Sequence, residues 1–224
     1  MYSNLASDKI PVNLDLHLAS VKFWRYHFRV PEAPTRTPPR TQYHHGDLKA
    51  VILAETAKLV AEHGADGVSL RQLARRAGVS HAAPAHHFTD RRGLFTALAA
   101  EGFWLLCEAL KAARGDFADA ALAYVRFAID HPGHYAVMFD RSLVEPSDRE
   151  LAEAQAAAGA ELSRGVATLV DPHAKADPAG AELAAWSLVH GFAVLWLNHA
   201  VPADIAVADP MATVARIARM LFDA

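Results

Sequence analysis

Gly78-Val-Ser80-His-Ala82 has the small-x-Ser-x-small spacing of a hydrolase nucleophile elbow, and adjacent histidines stand at His44-His45 and His86-His87 in a chain of 224 residues. The elbow requires a strand running into the serine. Ahead of Ser80 the apolar residues are Leu70, Leu73, Ala74 and Ala77, a helical spacing that puts the hydroxyl on a turn between helices with nothing to activate it. Neighbouring histidines on a helix point about 100° apart and do not readily share one ion. No phosphate-cradling glycine motif occurs. The chain is therefore expected to hold no catalytic residue, metal or cofactor, and not to be an enzyme.

The elements that would position these residues are helical. Hydrophobic residues make up 52% of the chain, and alanine dominates that share, which favours helices over a many-stranded sheet. Leu48, Ile52, Thr56 and Leu59 predict one long helix from Asp47 to the stop at His63-Gly64. Ser69-Leu-Arg-Gln72 is a capping box that starts a short second helix with Arg71, Gln72, Arg75 and Arg76 on its outer side. Gly78 permits a tight turn, Ser80 can cap a third helix over 81–87, and Asp90 caps a longer fourth carrying Leu94, Phe95, Leu98, Phe103, Leu106 and Leu110. Further helices are predicted over 116–130, 132–141, 148–170, 178–199 and 209–222, punctuated by prolines. Residues 1–43, with the proline-rich run Pro31 to Pro39, are expected to form a poorly ordered extension, either a basic arm carrying Arg36 and Arg40 or a segment without an essential role. The lone cysteine, Cys107, excludes an internal disulfide and fits a reducing cytoplasm. No run is expected to approach the roughly 20 apolar residues of a membrane span.

Helix, glycine turn, helix over 69–88 is the geometry of a helix-turn-helix, whose second helix enters a DNA major groove. Charge supports it: residues 1–92 hold 13 Lys and Arg against 8 Asp and Glu, while residues 93–224 hold 9 against 17, so the chain's net −3 conceals a basic front. Tyr43-His-His-Gly-Asp-Leu48, Ala61-Glu-His-Gly64, Ser69-Leu-Arg-Gln-Leu-Ala-Arg-Arg-Ala-Gly-Val-Ser80 and His87-Phe-Thr-Asp90 resemble the N-terminal domain of TetR-type (tetracycline-repressor-like) transcriptional regulators. Trp186-Ser-Leu-Val-His190-Gly191 resembles the Trp-x-x-x-His-Gly pattern of one subgroup's C-terminal domain. The resemblance implies an all-α, homodimeric repressor: a three-helix DNA-binding domain over 44–92, then a helical effector-binding and dimerisation domain over 93–224. It also implies release from a palindromic double-stranded operator when a small molecule binds. Two departures stand out. Ala85 replaces the aromatic, often tyrosine, that touches a phosphate in family members, and Pro84 removes an amide donor inside the recognition helix. Ala85 keeps open the alternative of an interaction or scaffold protein with a weakened helix-turn-helix.

Candidate DNA contacts are His44, His45, Ser69, Arg71, Gln72, Ser80, His81, Ala83, His86 and Arg91. Arginines and helix N-termini suit phosphates; His81 can bond a base edge, and alanine suits a thymine methyl. His87 is expected to pack rather than read bases. The candidate effector pocket gathers Phe103, Trp104, Cys107, Tyr124, Phe127, His134, Tyr135, Met138 and Phe139, bordered by Trp186 and His190, a lining suited to an apolar or aromatic molecule. The helix over 178–199 is apolar on two faces and the final helix carries a similar stripe, so Leu188, Gly191, Leu195, Val214, Ala218 and Leu221 are expected to build a four-helix dimer interface.

Overall fold

The structure is a computed structural model that describes residues 45–80, 82–113, 115–202 and 209–222, with side chains from Leu48 to Met220 within those ranges. Ten α-helices follow one another there: α1 His45–His63, α2 Leu70–Arg76, α3 Ala82–Phe88, α4 Arg91–Ala112, α5 Phe117–Asp130, α6 Pro132–Met138, α7 Arg149–Val166, α8 Pro172–Ala176, α9 Pro178–Leu197 and α10 Pro210–Phe222. A single 3-10 turn, Ala65–Gly67, joins α1 to α2.

Local chemistry sets most of the starts. Six of these helices begin at a residue whose side-chain oxygen accepts a backbone N–H of the first turn: Ser69, Asp90, Asp116, Asp148, Asp171 and Asp177. Proline follows the cap in α8 and α9, where its missing N–H has no intrahelical acceptor to lose. Ends differ from the sequence expectation where the break is weak. The sixth helix stops at Met138 rather than residue 141, because Asp140 turns its carboxylate onto the Ser142 amide at 2.9 Å and closes a turn. The stretch expected as one helix to residue 170 ends at Val166, and the Asp171-Pro172 pair restarts a five-residue helix too short for apolar periodicity to reveal.

α4 is the axis. It packs most extensively on α7 and also against α6, α5 and α1, and eleven of its residues from Leu94 to Leu110 are buried. α1 to α3 cluster at its N-terminal end around Ile52, Leu59, Leu73 and Phe88, and the buried apolar cluster continues past residue 92 through α4 without a gap. Two helices, α4 and α9, are long and apolar enough to cross a bilayer by length and composition, contrary to the expectation that no segment comes near this. The fold covers 61% of that window in α4 but 28% in α9, so α9 presents apolar surface that its own chain does not bury.

Candidate nucleic-acid interface and ligand cavity

α2 and α3 make the outer corner of the N-terminal head. Ser69 Oγ accepts the Gln72 amide at 3.2 Å and fixes the start of α2. Gly78 turns the chain at φ +68°, a conformation that favours glycine, and Val79 returns its amide to the Ala74 carbonyl at 3.0 Å. α3 begins at Ala82 with the Ala83 amide on the Ser80 carbonyl, so Ser80 holds the helix start by its backbone. Pro84 is buried in that first turn, where an amide would have no intrahelical acceptor, so the helix accommodates it without a lost bond. Arg71, Arg75, Ser69 and Ser80 are exposed, and Gln72 is half-buried beside them. The exposed residues of α3 are Ala82, Ala85 and His86, while Ala83 and His87 are half-buried, His87 against the Phe88 ring. Of the candidate contacts, His44 and His81 lie outside the described residues, as does the side chain of His45.

Arg91 was expected to clamp a phosphate, and its guanidinium is turned into the head. Nη2 donates to the Ala65 carbonyl at 2.6 Å, stands 3.6 Å from the Asp66 carboxylate, and the group lies 4.9 Å over the Phe95 ring. Its Nε is buried without a partner. Arg92 donates to the Val144 carbonyl at 3.0 Å and faces Glu145 at 3.6 Å, tying the start of α4 to the loop before α7.

A cavity of about 480 Å³ opens between α4, α5, α7 and α9. Phe103, Tyr124, Phe139 and Trp186, four of the expected effector residues, line it. Leu106 and Leu110 continue the α4 wall one and two turns from Phe103, and Gln155, Ala158, Gly159, Leu162 and Ser163 of α7 face them, with Ala179, Glu182 and Leu183 of α9 at the rim. None of these last residues was anticipated; the Ala158-Gly159 pair, which leaves room between two packed helices, was the available sign. Below the aromatic wall, the Tyr124 and Tyr135 hydroxyls stand 3.0 and 2.9 Å from His190 Nδ1, and Trp186 donates its indole N–H to the Tyr124 hydroxyl at 3.4 Å. One ring nitrogen carries a single lone pair, so as an acceptor it takes one of the two O–H groups, and the two tyrosine hydroxyls are hydrogen-bonded to each other. Burial pushes the Tyr124 hydroxyl up to about 12 and raises Tyr135 too, while burial holds His190 below the ordinary imidazole value. This cluster is neutral at physiological pH.

The remaining expected pocket residues sit elsewhere. Trp104, one position from Phe103 and so about 100° around α4, is exposed and does not line the cavity. Cys107, Phe127 and Met138 are core. His134 is buried with Nε2 2.9 Å from a Glu101 carboxylate oxygen, beside His131, whose pKa is lowered by burial and then by His134.

α6 connects the cavity to the head. Tyr135 on α6 and Phe139 just past its end stand at the His190 cluster and the cavity wall, while Gly133 at its other end packs on α1 so closely that a Cβ there would sit 1.9 Å from the Ala57 carbonyl oxygen.

Residues 52–98 match the family model described as bacterial regulatory proteins, tetR family, and residues 117–221 match the tetracyclin repressor-like C-terminal domain. A protein of unknown function from Rhodococcus sp. RHA1 has a solved structure that superposes with a TM-score of 0.64 at 35% identity, covering 81% of this chain and 96% of that one. The chain belongs to the TetR family. Its fold is also that of a tetR-family regulatory protein from Rhodococcus RHA1 (TM-score 0.57, 18% identity, 77% of this chain and 94% of that one). Over 50 residues, 22% of this chain, it is 44% identical to the HTH-type transcriptional repressor AcnR of Corynebacterium diphtheriae, so it matches about a quarter (26%) of that curated relative's length.

In this TetR-family transcriptional regulator the expected dimer residues separate. Leu195 is 49% exposed, Leu188 and Gly191 are half-buried next to it, and Val194 and Ala184 extend the same open side of α9. Val214 and Ala218 are instead buried inside the protomer, 0% and 2% exposed, so the expectation that they pair with a second chain is corrected. α10 lies on α5, and its apolar stripe closes its own chain's core. The side chain of Leu221 lies outside the described residues.

Proposed function

We propose that the protein is a homodimeric repressor that holds a palindromic operator through its two N-terminal heads and lets go when an apolar or aromatic small molecule fills the C-terminal cavity. One observation carries the reading: an arginine-faced α2–α3 corner and an aromatic cavity in one chain, joined through α6. Phe139 lines the cavity, the Tyr135 ring of α6 packs against it, and Gly133 touches α1, so an occupant that displaces α6 displaces the head. Arg71 and Arg75 contact phosphates, and Ala82, Ala85 and His86 of α3 face the major groove. With Ala85 in place of an aromatic, phosphate anchoring falls more heavily on α2. The Trp186-x-x-x-His190-Gly191 pattern supplies the cavity's polar floor: Trp186 and His190 lie one turn apart and meet at Tyr124. The open side of α9 carries the twofold contact, and its spacing sets the two heads about one DNA turn apart.

Titrating the full chain into a labelled fragment from the DNA flanking its own reading frame tests this. Saturable binding that survives physiological salt supports it. Binding erased by salt, equal on any sequence, favours a scaffold role instead.

A further inference from the structure

The cavity's charges are one-sided. Among the residues that line it, Glu182 alone carries a charge, at the rim on the first turns of α9; Gln155 and Ser163 are neutral, and no lysine or arginine reaches the space. Glu182 has no ion-pair partner among the described residues. The positive end of α9, which would otherwise attract an anion to this rim, is already occupied: the Asp177 carboxylate accepts the Gly180 amide at 2.9 Å and adds a second negative group beside Ala179. Deeper in, the walls are the faces and edges of Phe103, Phe139, Tyr124 and Trp186, with Phe139 centred 5.4 Å from Phe103 and 6.2 Å from Trp186. Aromatic faces attract cations.

We propose that the cavity selects hydrophobic cations: molecules with an apolar or aromatic body and one positive group placed at Glu182, which excludes carboxylates and phosphates of the same shape. This rests on the reading of the cavity as an effector site and names the class of effector. A carboxylate entering the same space would meet Glu182 with no compensating cation, and would lose its water shell against aromatic walls.

Isothermal titration of the full chain in sodium buffer with tetraphenylphosphonium and tetraphenylborate, which share a shape and differ in charge, tests the charge preference. Fluorescence of the neutral probe N-phenyl-1-naphthylamine tests occupancy alone. The cation is expected to bind at least about tenfold more tightly than the anion, a difference of about 1.4 kcal/mol. Glu182→Gln, at a half-exposed position, is expected to remove most of that preference and to weaken the neutral probe far less than the cation. If the neutral probe binds but the anion binds as well as the cation, or Glu182→Gln changes neither ion, the charge inference is overturned and the cavity stands as an effector site. If none of the three binds, the effector reading falls with it.

Discussion

The head and the body of this molecule place their chemistry on opposite sides of the same kind of helix. In the head, α2 and α3 are seven residues each, locked by a serine cap, a glycine turn and a few core side chains such as Leu73 and Phe88, and the groups that can meet a ligand are outside: Arg71, Arg75, His86. In the body the helices around the cavity, α4, α5, α7 and α9, are longer and alanine-rich, and the groups that can meet a ligand are inside, collected from Phe103 to Trp186 around a space the helices fail to fill. A surface site of the first kind is specified by short-range rules, and a void of the second kind by how distant faces happen to meet. The two sites should therefore break separately.

The largest effect is expected at the head's core. Leu73 is fully buried, and Leu73→Ala should cost about 2–5 kcal/mol, abolish DNA binding, and leave a cavity ligand bound by the body. Urea unfolding and probe titration on the same variant check both halves. If ligand binding vanished as well, head and body would unfold as one unit through the buried cluster they share in α4, and the separation of the two sites would be overturned. Next is the junction. Gly133→Ala forces a methyl against the Ala57 carbonyl, at a cost of about 1–3 kcal/mol, and should weaken the ligand's ability to release DNA more than it weakens either binding step alone. Measuring DNA affinity with and without ligand separates these. Ser69→Ala removes a cap and should cost about 1 kcal/mol, seen as a small drop in Tm and a larger loss of DNA affinity.

How far the sequence could be read follows the same division. The helix starts were legible because Ser69 and Asp90 announce them locally, and the α2–α3 corner because Gly78 and the arginine face lie within twenty residues of each other. The cavity was legible only as aromatic content. Choosing aromatics picked Trp104, which faces solvent, and passed over Leu106, Leu110, Gln155 and Gly159, whose role depends on α4 and α7 crossing at that point. Two residues of α10 were misassigned for a related reason: an apolar stripe shows that a helix must be covered, and Val214 and Ala218 are buried within their own chain, where α10 lies on α5. Arg91 shows the limit of charge as a signal, because a backbone carbonyl, a carboxylate and an aromatic face inside the head compete for the group that a phosphate would use.

A smaller effect is expected from pH, and it belongs to the body alone. Burial lowers the His190 pKa in the folded state below its ordinary 6.5, so the unfolded chain takes up the proton first. Its contribution to stability is complete above 6.5 and is lost as pH falls through the folded value. The Tyr124 and Tyr135 hydroxyls face this ring, and both stay protonated across that range. Tm should fall between about pH 7 and pH 5 and fall less in His190→Gln. A Tm independent of pH over that interval would remove the buried neutral imidazole from the description of the cavity floor.

The double variant Arg71→Ala, Arg75→Ala should change stability by less than about 0.5 kcal/mol, since neither side chain is buried. The account's central claim, that this exposed α2–α3 corner holds DNA, is tested most directly by the salt dependence of binding in this variant against the unaltered chain, read by fluorescence anisotropy on the flanking fragment and on a shuffled copy. The unaltered chain should prefer its own fragment by at least about 10³-fold at physiological salt, and the variant should lower the slope of log affinity against log salt by about 2 per protomer. Equal affinity for both fragments, or a slope that the two substitutions leave unchanged, would contradict it.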